Sequence, residues 1–206
     1  MKNMLNTLLN LIGGNKVEIE EEGSARRVRL SIAATLAAGV AAALFGLAAG
    51  SADPGLAVSN IYKVPMVILL SAVAALPAGL LSWKLIDVDM RLSDVMTSLI
   101  SANYTGTLVL LAAAPLVALY YLTGSAFGGH LGLGATLVAT AVTIGVFFRA
   151  ALLRRPEDVS KRQLFVPLAV TGAIQLIALV QLIGIASPIL PEVTAVSHGM
   201  DGLLNF

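Results

Sequence analysis

The chain has 206 residues, of which 57% are hydrophobic, 12% are charged and none is cysteine, and its net charge is +1. A soluble domain carries roughly twice that charged fraction, so this composition, with a mean hydropathy of +0.88, is that of an integral membrane protein. The missing cysteines exclude disulfides, thiolate nucleophiles and Cys-ligated metals, and no basic, aromatic-rich stretch offers a surface for nucleic acid.

The first twelve residues, MKNMLNTLLNLI, place Met4, Leu5, Leu8, Leu9 and Ile12 on one helical face and Lys2, Asn3, Asn6, Thr7 and Asn10 on the other. A helix this short, stopped by Gly13 and Gly14, is expected to lie in the membrane interface or dock on a partner. An acidic run containing Glu18, Glu20, Glu21 and Glu22 follows, then Arg26, Arg27 and Arg29, which suit an anionic leaflet surface. Residues 1–28 thus read as a cytoplasmic amphipathic helix and charged arm.

A membrane-crossing helix needs about 20 mainly apolar residues. Charge-free windows cover 30–52, 64–83, 95–148 and 163–191. The third is too long for one crossing and is broken by TGSAFGGHLGLG at 123–134, a glycine-rich turn signal. The expectation is five spans at 29–50, 64–86, 104–123, 132–152 and 164–186. The first is too long for a signal-peptide apolar region and too far from residue 1. All but one of the 13 basic residues fall on one side of such a bundle, the exception being Lys63. By the positive-inside rule that side is cytoplasmic. Five crossings then put the N-terminus in the cytoplasm and the 187–206 tail outside.

Pro65 and Pro167 are expected in the first turns of spans two and five, where a missing N–H costs nothing. Pro77 and Pro115 fall inside spans two and three, where each removes a backbone hydrogen bond and predicts a kink. Such a kink serves packing, or a hinge beside a mid-membrane cavity. Ala42, Gly46 and Gly50 form a small-residue stripe on span one, and Ala141 and Gly145 form another on span four, both suited to close helix packing. Gln175 and Gln181 on span five are the strongly polar side chains expected within the membrane, bonding a neighbouring helix or contacting a substrate. Tyr62, Trp83, Tyr104, Tyr120, Tyr121, Phe147 and Phe148 suit an interfacial belt.

The segment MRLSDVMTSLISA at 90–102 sets Leu92, Val95, Met96, Leu99 and Ile100 against Arg91, Asp94, Thr97, Ser98 and Ser101. It reads as an interfacial helix or as the cytoplasmic extension of span three. Asp87, Asp89 and Asp94 lack calcium-loop spacing and read as solvated, with Asp89 a possible helix cap. Arg154 and Arg155 are expected at the membrane surface. Neither histidine has a second ligand at helical spacing, no ionisable side chain lies deep in a span, and P-loop, G-x-S-x-G and H-E-x-x-H motifs are missing. No enzyme activity, metal or cofactor is expected.

The stretches IYKVPMVILLSAVAALPAGLL and LLAAAPLVALYYLTG, with five spans after a cytoplasmic arm, resemble the bacterial members of the Yip1-like membrane proteins over roughly residues 40–150. The resemblance implies a membrane-organising or trafficking-type scaffold without catalysis, and it carries over no site residues.

The reading is an all-α bundle of five transmembrane helices, with 29–186 as the membrane domain. The Ala/Leu/Gly-rich composition suggests a bacterial inner membrane. The expected function is a scaffold or interaction subunit whose partners are the lipid bilayer and other membrane proteins or a second copy. The alternatives are a transport or channel subunit with Gln175 and Gln181 on a pathway, and an accessory subunit of a larger membrane enzyme. A hydrated cavity reaching those glutamines would favour transport; a dry, close-packed centre would favour the scaffold.

Overall fold

A computed structural model describes residues 12, 24–87, 90–123, 127–156, 159–192 and 195–204. The amphipathic segment 1–12 (Ile12 apart), the acidic run, Asp89 and the side chain of Arg26 lie outside the described residues. Five helices are long and apolar enough to cross a membrane. They are α1 (Ser24–Ala49), α2 (Pro54–Leu85), α3 (Leu92–Leu122), α4 (Gly128–Leu153) and α5 (Lys161–Ala186). A 3-10 turn, Ala195–His198, and the short α6, Gly199–Leu204, follow. The fold is all-α, and no strand occurs among the described residues.

The helices end within one residue of the predicted span ends but begin 3 to 12 residues earlier. Local chemistry explains two of the starts. Asp53 caps α2 by accepting from the N–H groups of Gly55 at 2.8 Å and Leu56 at 3.4 Å, with Pro54 in the first turn. Ser160 and Gln163 form a capping box at α5: Gln163 N donates to Ser160 Oγ at 3.3 Å, and Ser160 N donates to Gln163 Oε1 at 2.9 Å. Pro65 and Pro167 therefore do not start their helices. Both lie inside, and Pro167 is fully buried. Pro77 and Pro115 lie within α2 and α3 as expected. Both are exposed on the outside of the bundle, where lipid would meet them.

Around the bundle the order of neighbours is α5, α2, α1, α3, α4. The four contacts along that series are extensive, and the closing contact between α4 and α5 is much sparser. The arrangement is a C whose two free edges only partly meet. The exterior is apolar: Ile32, Leu36, Val40, Leu44 and Leu47 on α1 all face outward. Lipid is the solvent that suits such a surface, and the protein is an integral membrane protein.

Small residues bring the backbones together. Ala42 is fully buried, Gly46 meets the Asn60 carbonyl, and Gly50 lies over Ala57, so the stripe on α1 packs against α2. On α4 the close approach is made elsewhere. Gly106 of α3 lies against Thr143 and the Ala139 carbonyl, whereas Ala141 and Gly145 are exposed and a Cβ at Gly145 would touch nothing. Gly79 of α2 receives Thr171 of α5.

The 90–102 segment is the first part of α3, the second of the two alternatives. Its faces do not divide by polarity as those of a water-soluble helix do. Val95 and Leu99 are buried together with Thr97, Ser98 and Ser101, while Leu92 and Met96 face outward. Lipid takes the outward apolar side chains, and the bundle interior also takes small polar ones that let helices approach. Arg27 of α1 reaches Ser93 Oγ at 3.2 Å and Asp94 Oδ1 at 3.4 Å, so Asp94 is paired rather than simply solvated. Arg29 is exposed, and Arg155 is half-buried. Arg154, at the end of α4, is packed into the bundle. It is 8% exposed and donates to the Ala150 carbonyl at 3.1 Å. The expected aromatic belt is also partly internal: Trp83, Tyr104, Tyr121 and Phe147 are buried.

Candidate functional site

Inside the C lies a cavity of about 110 Å³, well above the roughly 10–15 Å³ that one water needs. Its helical lining is mostly apolar, for example Phe45, Leu110, Ile144 and Leu179. Hydroxyls from Ser71, Thr107, Thr136, Thr140 and Thr143 interrupt that surface, and Asn103 and Gln175 sit at one end. No ionisable side chain lines it among the described residues.

Asn103 and Gln175 meet across the interior. Gln175 Nε2 donates to Asn103 Oδ1 at 3.0 Å, and Asn103 Nδ2 donates to the Leu99 carbonyl at 2.8 Å. Both side chains are buried. An amide in hydrocarbon needs a partner, and a bond between helices supplies it. Gln175 therefore bonds another span, α3, across the interior. Asn103 lies one residue before the predicted third span, where hydropathy gave no reason to place it inside. Gln181 does not reach the cavity. It is exposed and accepts from the Met200 N–H at 3.2 Å, fastening α6 to α5.

The cavity is closed at the basic end of the bundle, where Trp83, Leu99, Phe147, Leu164 and Leu168 form a dry cluster. Phe148 and Phe165 also touch there, with ring centroids 6.1 Å apart, joining α4 to α5. At the other end the chain leaving α5 folds back across the mouth, and Ser187, Ile189 and Leu190 line the cavity. This strap is fastened at three places. Asn60 Nδ2 donates to the Ile189 carbonyl at 2.7 Å, Lys63 Nζ to the Pro188 carbonyl at 3.1 Å, and Tyr121 Oη to Glu192 Oε2 at 2.7 Å. Lys63, the basic residue set apart from the other twelve, thus holds the strap. Between these ends the lining includes Thr136 and Thr140 of α4 and Leu176 and Ile183 of α5. Leu176 is exposed, the other three are partly so, and α4 and α5 touch only sparsely, so the cavity opens sideways between them.

Removing one fastening should loosen the strap without unfolding the bundle. In Tyr121→Phe, hydrogen exchange at 187–192 is expected to accelerate by about tenfold, the equivalent of one lost hydrogen bond to a carboxylate partly open to solvent. Exchange in α2 and α3 should stay unchanged. Unaltered exchange at 187–192 would show that the Tyr121–Glu192 bond does not hold it.

Fold and site together define a polytopic helical membrane protein with an internal, uncharged cavity. Compared with known proteins, the chain matches no family model, no curated sequence and no solved structure. These comparisons neither support nor oppose the Yip1-like resemblance.

Proposed function

We propose that the protein is a non-catalytic binding protein that holds an uncharged, lipid-soluble molecule at mid-membrane. The observation that carries this reading is the cavity that reaches Gln175 and opens between α4 and α5. It is the feature that separates a ligand-handling protein from a close-packed scaffold. A lining without ionisable groups suits neither an ion path nor a proton relay. A sideways opening suits a ligand that arrives dissolved in lipid. The Ala/Leu/Gly-rich composition supports a bacterial inner membrane as the location.

Purification in mild detergent, followed by solvent extraction and mass spectrometry, tests the reading. A near-stoichiometric lipophile is expected with the natural chain. It should be lost from Gly172→Leu or Thr136→Phe, each of which fills the cavity from a different helix. A Cβ at Gly172 meets only Phe148, at 3.8 Å, so the first variant has room. Identical extracts from all three proteins would overturn the proposal.

A second reading, the scaffold or interaction subunit, is favoured by the exposed Ala141 and Gly145 on α4. A small-residue face turned to lipid is the kind that packs against another helix. Under this reading Gly145→Leu lowers the oligomeric state in detergent or shuts out a co-purifying chain, and an unchanged assembly removes the support.

A further inference from the structure

We propose that the cavity selects a neutral ligand whose head group donates hydrogen bonds, in chemical class a long-chain alcohol. This rests on the binding reading above and assigns the ligand's chemistry.

The hydroxyls of the helical lining have already placed their hydrogens. Ser71 donates to the Ile68 carbonyl, Thr107 to Tyr104, Thr136 to Gly132, Thr140 to Thr136 and Thr143 to Ala139, at 2.8 to 2.9 Å. A hydroxyl has one donor and two lone pairs. Each of these five therefore keeps only acceptor capacity toward the cavity.

The amide pair leaves a further acceptor. A carbonyl oxygen only accepts, so the Leu99 carbonyl requires the nitrogen of Asn103 on its side. Asn103 Oδ1 then faces Gln175, which must present Nε2 to it. Gln175 Oε1 is left with no hydrogen bond from the described residues. The donors remaining on this pair are the second hydrogens of the two amides. Acceptors thus outnumber donors around the amide pair and these five hydroxyls, with Ser187 and Ser197 lining the cavity at the strap.

A charged head group would lose its hydration and meet no counter-charge there. A ketone, ester or ether would bring more acceptors to a wall of acceptors. A hydroxyl brings the missing hydrogen, the apolar lining takes the first part of the chain, and the rest extends through the opening into lipid. The opening between α4 and α5 admits such a molecule from the bilayer.

The test uses the full chain in nanodiscs with a diazirine-bearing hexadecanol as photoprobe. Competition is measured with unlabelled hexadecanol and with hexadecyl methyl ether, which keeps the oxygen and chain but lacks the donor. Labelling of α4 and α5 peptides is expected, with the alcohol competing about tenfold better than the ether, the worth of one hydrogen bond. That ratio should fall toward one in Gln175→Met, and should shrink in Thr140→Val, which keeps side-chain volume without the hydroxyl. Equal competition by alcohol and ether in the natural chain would overturn the donor preference and leave cavity binding intact. Labelling unaffected by Gly172→Leu would instead remove the binding reading itself.

Discussion

Gly46→Ala is expected to destabilise the protein by about 3 kcal/mol, at the upper end of ordinary overpacking costs. A Cβ at this position would overlap the Asn60 carbonyl oxygen and lie 2.9 Å from its carbon and 3.1 Å from Val64 Cγ2. The obstruction is backbone, so no side chain can rotate away. Helices α1 and α2 would have to separate, loosening the cluster of Ala42, Phe45, Ala49 and Val64. Asn60 also fastens the strap at Ile189, so the disturbance should reach the outer mouth. Gly39, on the same helix, has nothing within 4 Å of a Cβ. Gly39→Ala is therefore expected to be neutral or to gain up to about 1 kcal/mol from helix propensity. Unfolding in bicelles followed for both variants gives the comparison. Equal stability of the two would mean that α1 and α2 do not cross at Gly46.

The same glycine shows why parts of this fold were legible in the sequence. The 42–46–50 spacing keeps one face of α1 free of side chains, and such a face has a use only where another backbone arrives. The same argument for Ala141 and Gly145 finds no partner within the chain, because a small-residue stripe marks a face that can pack without saying against what. The partner of α3 on α4 is instead built from Ala139 and Thr143, one face round. Span ends were legible because each helix stops near a turn bearing a charge, a glycine or a proline, as at Gly50 and Pro188. Span starts were not. The α3 helix runs for three turns through Ser93, Asp94, Thr97, Ser98 and Ser101 before hydropathy rises. Thr97 and Ser98 are accommodated inside the bundle because their hydroxyls bond their own helix. Thr97 donates to the Ser93 carbonyl at 2.6 Å, and Ser98 donates to the Asp94 carbonyl at 2.7 Å. Polarity neutralised in this way is invisible to a hydropathy window.

The cavity was half legible for the same reason. Gln175 stands out in an apolar run, and its need for a partner follows from residue type alone. Asn103 sits in a polar stretch, SLISANYTGT, that reads as an end of a span rather than its interior. Placing it opposite Gln175 requires the ring order, which depends on which helix faces are small, and no periodicity in one sequence records that. The strap was illegible altogether. Its fastenings join residues far apart in the chain, two of them through backbone carbonyls, which carry no sequence signature.

Breaking the Asn103–Gln175 bond from either side should cost about 2 kcal/mol, because each single change leaves a buried amide group without its partner. Asn103→Leu strands Gln175 Nε2, and Gln175→Leu strands Asn103 Oδ1. The double variant replaces both groups by apolar ones and should fall short of the summed cost by about 1 kcal/mol, within the range of interhelical hydrogen bonds in membranes. The bond matters beyond its energy because α3 and α5 are not neighbours around the C. It crosses the interior and sets the width there, while α4 and α5 barely close the rim. Loss of either amide should therefore raise hydrogen exchange in the outer half of α5 more than in α1 or α2, which are held by their glycine crossing. Strictly additive costs in the double variant would mean that the two amides do not meet. The cavity floor would then be two separate polar groups, with no fixed orientation for Gln175 Oε1.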